Sequence, residues 1–229
     1  MQDSWKMFNS ISPTYDVTNR ILSLGIDKWW RKKVASFLPK QEKITLLDVA
    51  TGTGDQLLAL MDRSKNITQA IGVDPAYQML QIAEEKARRK PYRFRLEWRE
   101  ASASHLPFAP HSFDVATISF GIRNIPEPVL AMQEIRRVLK NQGKLLVLEF
   151  SKPTHPWLQA AHLWYLRKIL PKVGGFISKN PAAYEYLNTT IEAFPSGPAF
   201  CILMKEAGFQ EVSAHPLTGG IVTLYQGIK

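Results

Sequence analysis

The sequence predicts an α/β protein with a seven-stranded, mostly parallel sheet and helices on both faces. Three observations carry this. Short apolar runs alternate with longer amphipathic segments, a glycine turn joins the first run to a helical pattern, and acids stand at the ends of the first two runs. Strand, crossover helix and strand in repetition give a parallel sheet. A glycine turn at the carboxyl end of its first strand is where such sheets bind nucleotides. The 229 residues, 45% hydrophobic, can bury a sizeable core.

Residues 1–43 precede the sheet. Trp5, Phe8 and Ile11, then Tyr15, Ile21, Leu22 and Leu24, then Trp29, Trp30, Val34 and Phe37 are spaced for three short helices broken at Pro13 and Gly25. They form a helical cap that covers one edge of the sheet or closes over the strand ends, with Tyr15 and Asp16 at its middle.

Ile44, Leu46, Leu47 and Val49 read as a strand buried on both faces. The run stops in Thr51-Gly52-Thr53-Gly54, and Gln56 to Met61 resumes as helix. A dinucleotide fingerprint needs Gly-x-Gly-x-x-Gly so that pyrophosphate can approach the helix N-terminus, but its third position here is Leu57. Asp48 and Asp55 also stand where an anion would lie, and either alone suits a helix N-cap. The two acids with the glycines favour a cationic nucleoside, S-adenosylmethionine, whose sulfonium and ammonium groups they can face. Asp74 ends the next strand, Ala70 to Asp74, about 20 residues beyond the turn, where a carboxylate takes ribose hydroxyls.

A helix over Tyr77 to Lys90 and a strand over Phe94 to Trp98 repeat the unit, and a loop with Ser102 and Ala103 follows. Asp114 to Ser119 is the fourth strand, and Phe120-Gly121-Ile122-Arg123-Asn124 leaves its end, where the methyl acceptor is expected. A helix spans Pro128 to Lys140, Asn141-Gln142-Gly143 is a turn, and Lys144 to Phe150 is the fifth strand. Residues 151–181 break the alternation. Trp157, Leu158, Ala161, Trp164, Tyr165, Ile169 and Leu170 form a wide apolar stripe bordered by His162, Arg167 and Lys168. This insertion either touches a bilayer surface or roofs the substrate pocket, and both suit an apolar substrate. Helices over Tyr184 to Phe194 and Ala199 to Ala207 precede a closing hairpin, Phe209 to Ala214 and Gly220 to Gln226, which makes one strand antiparallel. Residues 1–229 thus read as one domain, with 1–43 as cap and 151–181 as insertion.

The net charge of +9 gathers in two clusters. Charge of this sign attracts nucleic acid or anionic membrane; the first cluster, Lys86 to Arg99, also suits a solvated helix end. No apolar run approaches the roughly 18 residues of a membrane span, and no signal-peptide core precedes the fold, so a cytoplasmic protein is expected. The lone Cys201 lies in an apolar helical pattern and reads as structural. The five histidines lack metal-ligand spacing, so no metal is expected. Tyr225 and Lys229 have the spacing of a short-chain dehydrogenase pair but fall in a strand, off any common helical face.

Leu47-Asp48-Val49-Ala50-Thr51-Gly52-Thr53-Gly54-Asp55, Gly72-Val73-Asp74, Leu106-Pro107-Phe108, Ser119-Phe120-Gly121-Ile122-Arg123-Asn124 and Leu148-Glu149-Phe150-Ser151-Lys152-Pro153 resemble class I S-adenosylmethionine methyltransferases. More narrowly, the chain resembles the ubiquinone/menaquinone biosynthesis C-methyltransferase (UbiE) family almost end to end. The resemblance implies a Rossmann-like class I methyltransferase fold. It places cofactor contacts at Thr53, Asp74, Ser102, Ala103 and Ser119, beside Asp48, Gly52 and Gly54 of the glycine turn. Ser102 stands where the family has an amide or carboxylate, and Thr51 where it has glycine. The resemblance also implies a polyprenylated quinol as acceptor, demethylmenaquinol or a polyprenyl benzoquinol with the former expected, which the enzyme must either extract from the bilayer or meet at an anionic membrane surface. No nucleic acid partner is expected, because base-directed amino methylation often uses a Pro-Pro-aromatic turn after the fourth strand, which this chain lacks. A homo-oligomer is compatible with the reading.

Methylation of a ring carbon needs an electron-rich ring, and a phenol of pKa about 10 must lose its proton to provide one. Arg123 can stabilise the phenolate, or pair with the cap instead. Asn124 and Tyr15 can hold the ring or relay a proton, or Tyr15 can be core.

Overall fold

The computed structural model describes residues 4–178 and 180–229. Ser4–Leu22 (α1) and Asp27–Val34 (α2) lead into Ile44–Val49 (β1). Gly25 breaks the chain as expected, with φ 77°, but Pro13 does not. It lies inside α1, where its missing N–H deprives the Asn9 carbonyl of its helical donor. The Ser12 hydroxyl donates to that carbonyl instead, at 2.9 Å, so three expected helices are two.

The first crossover is Asp55–Met61 (α3), Ile67–Asp74 (β2), Tyr77–Arg88 (α4) and Leu96–Glu100 (β3). Phe94, expected in β3, belongs to a preceding 3-10 turn and is 84% exposed. Phe113–Ser119 (β4), Pro128–Val138 (α5) and Leu139–Phe150 (β5) follow. The fifth strand begins earlier than its apolar pattern, because Leu139 already pairs with Phe113. The expected Asn141-Gln142-Gly143 turn is therefore a bulge within the strand, with Gln142 at φ 61°.

Pro156–Trp164 (α6), a π-helical turn at Tyr165–Ile169, Leu170–Ser178 (α7) and Pro181–Ala193 (α8) make up the insertion and its return. The π turn directly precedes Pro171, which cannot donate to the ladder. Pro198–Glu206 (α9), Gln210–Leu217 (β6) and Val222–Ile228 (β7) close the chain.

The seven strands run in the order β3-β2-β1-β4-β5-β7-β6. β3 to β5 are mutually parallel, while β7 is antiparallel to both β5 and β6. Two apolar clusters pack the sheet. One joins Val49, Ile118, Ile135 and Phe200; the other joins Trp30, Leu46, Leu57 and Leu148. A third, Ile11, Leu166, Leu170, Ala183 and Ile191, is built only from the cap and the insertion with its return helix. Between β1 and β4 the chain order reverses, which sets the ligand crevice at their carboxyl ends.

Candidate functional site

Val49 pairs with Val73 and with Ile118, so the residues leaving β1, β2 and β4 meet above the sheet. Ala50 and Phe120 leave it with left-handed φ values of 51° and 57°, conformations that non-glycine residues keep only where the surroundings enforce them. Both line a cleft of about 320 Å³ whose walls include Asp48, Gly52, Thr53, Asp74, Ser102, Ala103 and Ser119. All but one of the expected cofactor residues thus share one cavity. Gly54 is not in its wall; it supports the turn from behind, at φ 78°, where a Cβ would come within 2.8 Å of the Trp98 ring.

Asp74 holds the turn. One oxygen accepts from Gly52 N and the other from Ala76 N, both at 2.8 Å. A carboxylate has about four acceptor positions, which leaves capacity for two ribose hydroxyls. Asp48 accepts from the Thr51 and Thr117 hydroxyls at 2.6 and 2.5 Å. Thr51 therefore adds a hydrogen bond that the glycine of the family pattern cannot. Ser102 Oγ accepts from Ser104 N at 3.3 Å, while Met79, Ala103 and Ile125 give the same end apolar walls. The residues present fit an adenosyl ligand: acids for the sugar and the cationic end, apolar faces for a flat base.

Asp55 departs from its expected part. Lys86 pairs with it at 2.7 Å and Arg20 at 3.5 Å. Burial pushes its carboxyl up, but Arg31, Lys86 and Arg20 together hold it below its usual range. Lys86 also pairs with Asp16 at 2.5 Å and donates to Thr53 O, and Thr53 donates to Asp16 at 2.6 Å. Lys86 is thus a clasp between α1 and the glycine turn, where sequence suggested a solvated helix end. Asp55 still lines the cleft beside Asp48 and Asp74, but its charge is already met by Lys86 and Arg20.

Burial raises both of these carboxyls to about 6, against the hydrogen bonds from Thr117 and Thr51 at Asp48 and from Ala76 and Gly52 at Asp74. The unfolded chain releases these protons near 3.8. Between the two values the folded, cofactor-free protein holds more protons at these two sites, so their contribution to stability is fully present below about 4 and is lost as pH rises through about 6, on the order of 3 kcal/mol per carboxyl. Cofactor affinity should move the other way, because ionised acceptors bind hydroxyls and cations better. Calorimetry with S-adenosylmethionine is expected to show at least about tenfold tighter binding at pH 7.5 than at pH 5; equal affinity would contradict the assignment of these acids.

A second cavity of about 330 Å³ adjoins the first. Phe8, Tyr15, Arg31, Phe120 and Asn124 line both, whereas Arg123 lines only the second. Its other walls are mainly apolar, from α1, the 156–170 helices and α8. Of the three expected catalytic residues, Tyr15 and Asn124 thus stand where the cavities meet, and Arg123 lies in the second. Burial raises the Tyr15 hydroxyl pKa, opposed by the charges of Arg123 and Arg31 and by a hydrogen bond with Asn19.

Arg123 pairs neither with the cap nor with solvent. Its Nη1 donates to Glu149 Oε1 at 2.7 Å and to Phe120 O at 2.6 Å, with the two side chains 3% and 1% exposed. Its Nε is buried without a hydrogen-bond partner, which leaves a donor for an acceptor oxygen. Burial raises the Glu149 carboxyl, opposed by Arg123.

Sequence reasoning missed Glu149 and Arg31. Glu149 lies in an apolar strand, where a lone acid signals a buried counter-charge. Arg31 sits among the exposed bases of α2 with nothing to mark it, yet its guanidinium lies over the Phe120 ring at 5.2 Å and its Nε is buried without a partner. It lines the cofactor cleft and can meet a carboxylate there.

A family model described as the ubiE/COQ5 methyltransferase family matches residues 2–229. The ubiquinone/menaquinone biosynthesis C-methyltransferase UbiE of Syntrophotalea carbinolica is 43% identical over 228 residues, covering 100% of this chain and 94% of that one. Its counterpart in Citrifermentans bemidjiense is 41% identical over 223 residues, covering 97% and 94%. Among solved structures, a methyltransferase of Thermotoga maritima described as a possible histamine N-methyltransferase superposes with a TM-score of 0.68 at 22% identity, over 98% of this chain and 99% of that one. This last likeness shows the fold alone, that of the class I methyltransferases.

Proposed function

The chain belongs to the ubiE/COQ5 methyltransferase family, and from that premise we propose that it methylates a ring carbon of a polyprenylated quinol, with demethylmenaquinol as the acceptor. S-adenosylmethionine-dependent C-methylation in quinone biosynthesis follows from the family; the acceptor is the proposal. The observation that supports it is the junction of the two cavities, a cleft with two buried acids opening through Tyr15 and Asn124 into a mainly apolar chamber.

Bound in the cleft, S-adenosylmethionine supplies an electrophilic methyl group; the ring carbon takes it, the thioether leaves and the ring C–H proton is released. The protein's part is positioning and charge. Asp74 orients the sugar and so fixes where the methyl points. Arg123 Nε donates to the phenol oxygen and favours its ionised form. Tyr15 and Asn124 bracket the ring at the mouth of the cleft and keep bulk water from the reacting atoms. Incubating the protein with S-adenosylmethionine and demethylmenaquinol should yield, by mass spectrometry, a quinol gaining one methyl. Methylation of RNA or of a different small molecule, with none of the quinol, would overturn the reading.

A polyprenyl tail requires the protein to meet the bilayer. No helix among the described residues is long and apolar enough to cross a membrane, and the contact proposed is a peripheral one at the cytoplasmic face. The stripe read from the sequence splits into two faces. Leu158, Ala161 and Tyr165 line the second cavity, while Trp157 and Trp164 point out, 66% and 60% exposed, as does Phe176 of α7 outside the stripe, at 87%. The exposed aromatic side is the face proposed to meet the membrane, and its opposite side roofs the chamber. Arg167, expected to meet lipid, is engaged with Glu192 at 2.5 Å, which leaves Lys168 and Lys172 as the nearby exposed charges. Replacing Trp157, Trp164 and Phe176 by serine should weaken sedimentation with anionic vesicles at least about tenfold and leave the Kd for S-adenosylmethionine unchanged. Unaltered vesicle binding would exclude this face.

A further inference from the structure

One buried polar group in the second cavity has no part in the chemistry above. His162 of α6 lines the chamber and is 8% exposed. Its Nε2 is buried with no hydrogen-bond partner. Several polar side chains that line the same chamber are engaged elsewhere. Asp27 accepts from Arg20 and Ser23, Thr218 from Trp30 Nε1 at 2.8 Å, the Tyr165 hydroxyl donates to Leu22 O at 2.6 Å, and Arg123 Nη1 is held by Glu149, its open Nε being the donor already assigned to the phenol oxygen. Leaving a buried polar atom unpaired costs about 1–3 kcal/mol. A phenylalanine would fill a similar volume in this largely apolar wall without that cost. Burial depresses the imidazole's pKa, so the ring is neutral near pH 7 and keeps one nitrogen as an acceptor.

A quinol brings two hydroxyls on opposite sides of its ring. The one beside the reacting carbon belongs near Arg123 and Asn124, and the remote one enters the chamber as a donor that an apolar wall would leave unpaired. We infer that His162 anchors the acceptor, its imidazole accepting a hydrogen bond from the quinol hydroxyl remote from the reacting carbon. This rests on the quinol reading of the preceding section. His162 is a binding residue that fixes which way round the ring enters, and the methyl transfer itself does not use it.

The test uses the full chain, S-adenosylmethionine and two short-tailed quinols: the free diol, and its ether methylated on the remote hydroxyl, which cannot donate. The wild-type protein should show a KM about tenfold higher for the ether than for the diol, the equivalent of one neutral hydrogen bond. H162F should raise KM for the diol to the same level, lose the discrimination, and keep its Kd for S-adenosylmethionine and its Tm, or gain Tm. H162Q, which retains an acceptor, should restore KM to within about threefold of wild type. Equal KM values for diol and ether in the wild-type protein overturn the inference without any variant having to fold, as does an unchanged KM in H162F. If the wild-type protein binds S-adenosylmethionine yet methylates neither quinol, the acceptor reading fails and the histidine assignment with it.

Discussion

Replacing Arg123 by methionine is expected to lower kcat at least about 100-fold and to destabilise the fold by about 3–5 kcal/mol. The two losses have separate causes. The first is removal of a donor aimed at charge that develops on the acceptor oxygen, a contribution of about 2.7–4 kcal/mol at comparable sites. The second is the stranding of Glu149, 1% exposed, without its counter-charge, since breaking a buried pair costs far more than the pair itself contributes. The double variant R123M/E149Q separates them. Thermal denaturation should return most of the lost stability once the uncompensated charge is gone, while turnover stays low because the donor is still missing. If activity returns together with stability, Arg123 serves the fold and not the chemistry.

For Asp74→Ala, calorimetry should register a fall in S-adenosylmethionine affinity of at least about 100-fold. Hydrogen bonds to a charged acceptor are worth about 1.5–3 kcal/mol each, and this carboxylate also holds Gly52 N and Ala76 N. Losing it removes the sugar contact and loosens the turn. The thermal upshift that a saturating ligand confers should vanish with it. Asp74→Asn is the sharper probe: similar in shape, it loses the charge and turns a donor towards either the Gly52 or the Ala76 amide. A near wild-type Kd in both variants would remove the acid from the site.

The strand, turn and helix from Ile44 to Met61 were legible because β1 is buried on both faces, which leaves an unbroken apolar run that the glycines end abruptly. Asp74 was legible for a related reason, since the parallel sheet brings the ends of β1 and β2 together whatever the loops do. Other parts were not. Pro13 reads as a helix breaker until the Ser12 hydroxyl is seen to satisfy Asn9, a rescue that depends on side-chain rotamer rather than residue type. The start of β5 at Leu139 depends on pairing with Phe113, which no local pattern records. Asp55 does line the cleft, but its pairing was hidden, because Lys86 and Arg20 are brought to it by helices distant in sequence. Arg31 resembles its neighbours Lys32 and Lys33 in everything except the direction α2 gives it. Local chemistry therefore located the cofactor cleft, whereas the acceptor chamber, assembled from segments far apart in the chain, needed the fold.

The third apolar cluster, with Ile11 from α1 and Leu166, Leu170, Ala183 and Ile191 from the insertion and its return, stands apart from the two that pack the sheet. Cap and insertion bury these side chains against each other and against Phe150 of β5, so the order of each segment depends on the other. Removing the first helix would consequently uncover apolar side chains far along the chain, from Leu166 to Ile191, so loss of one short segment opens the chamber from two sides.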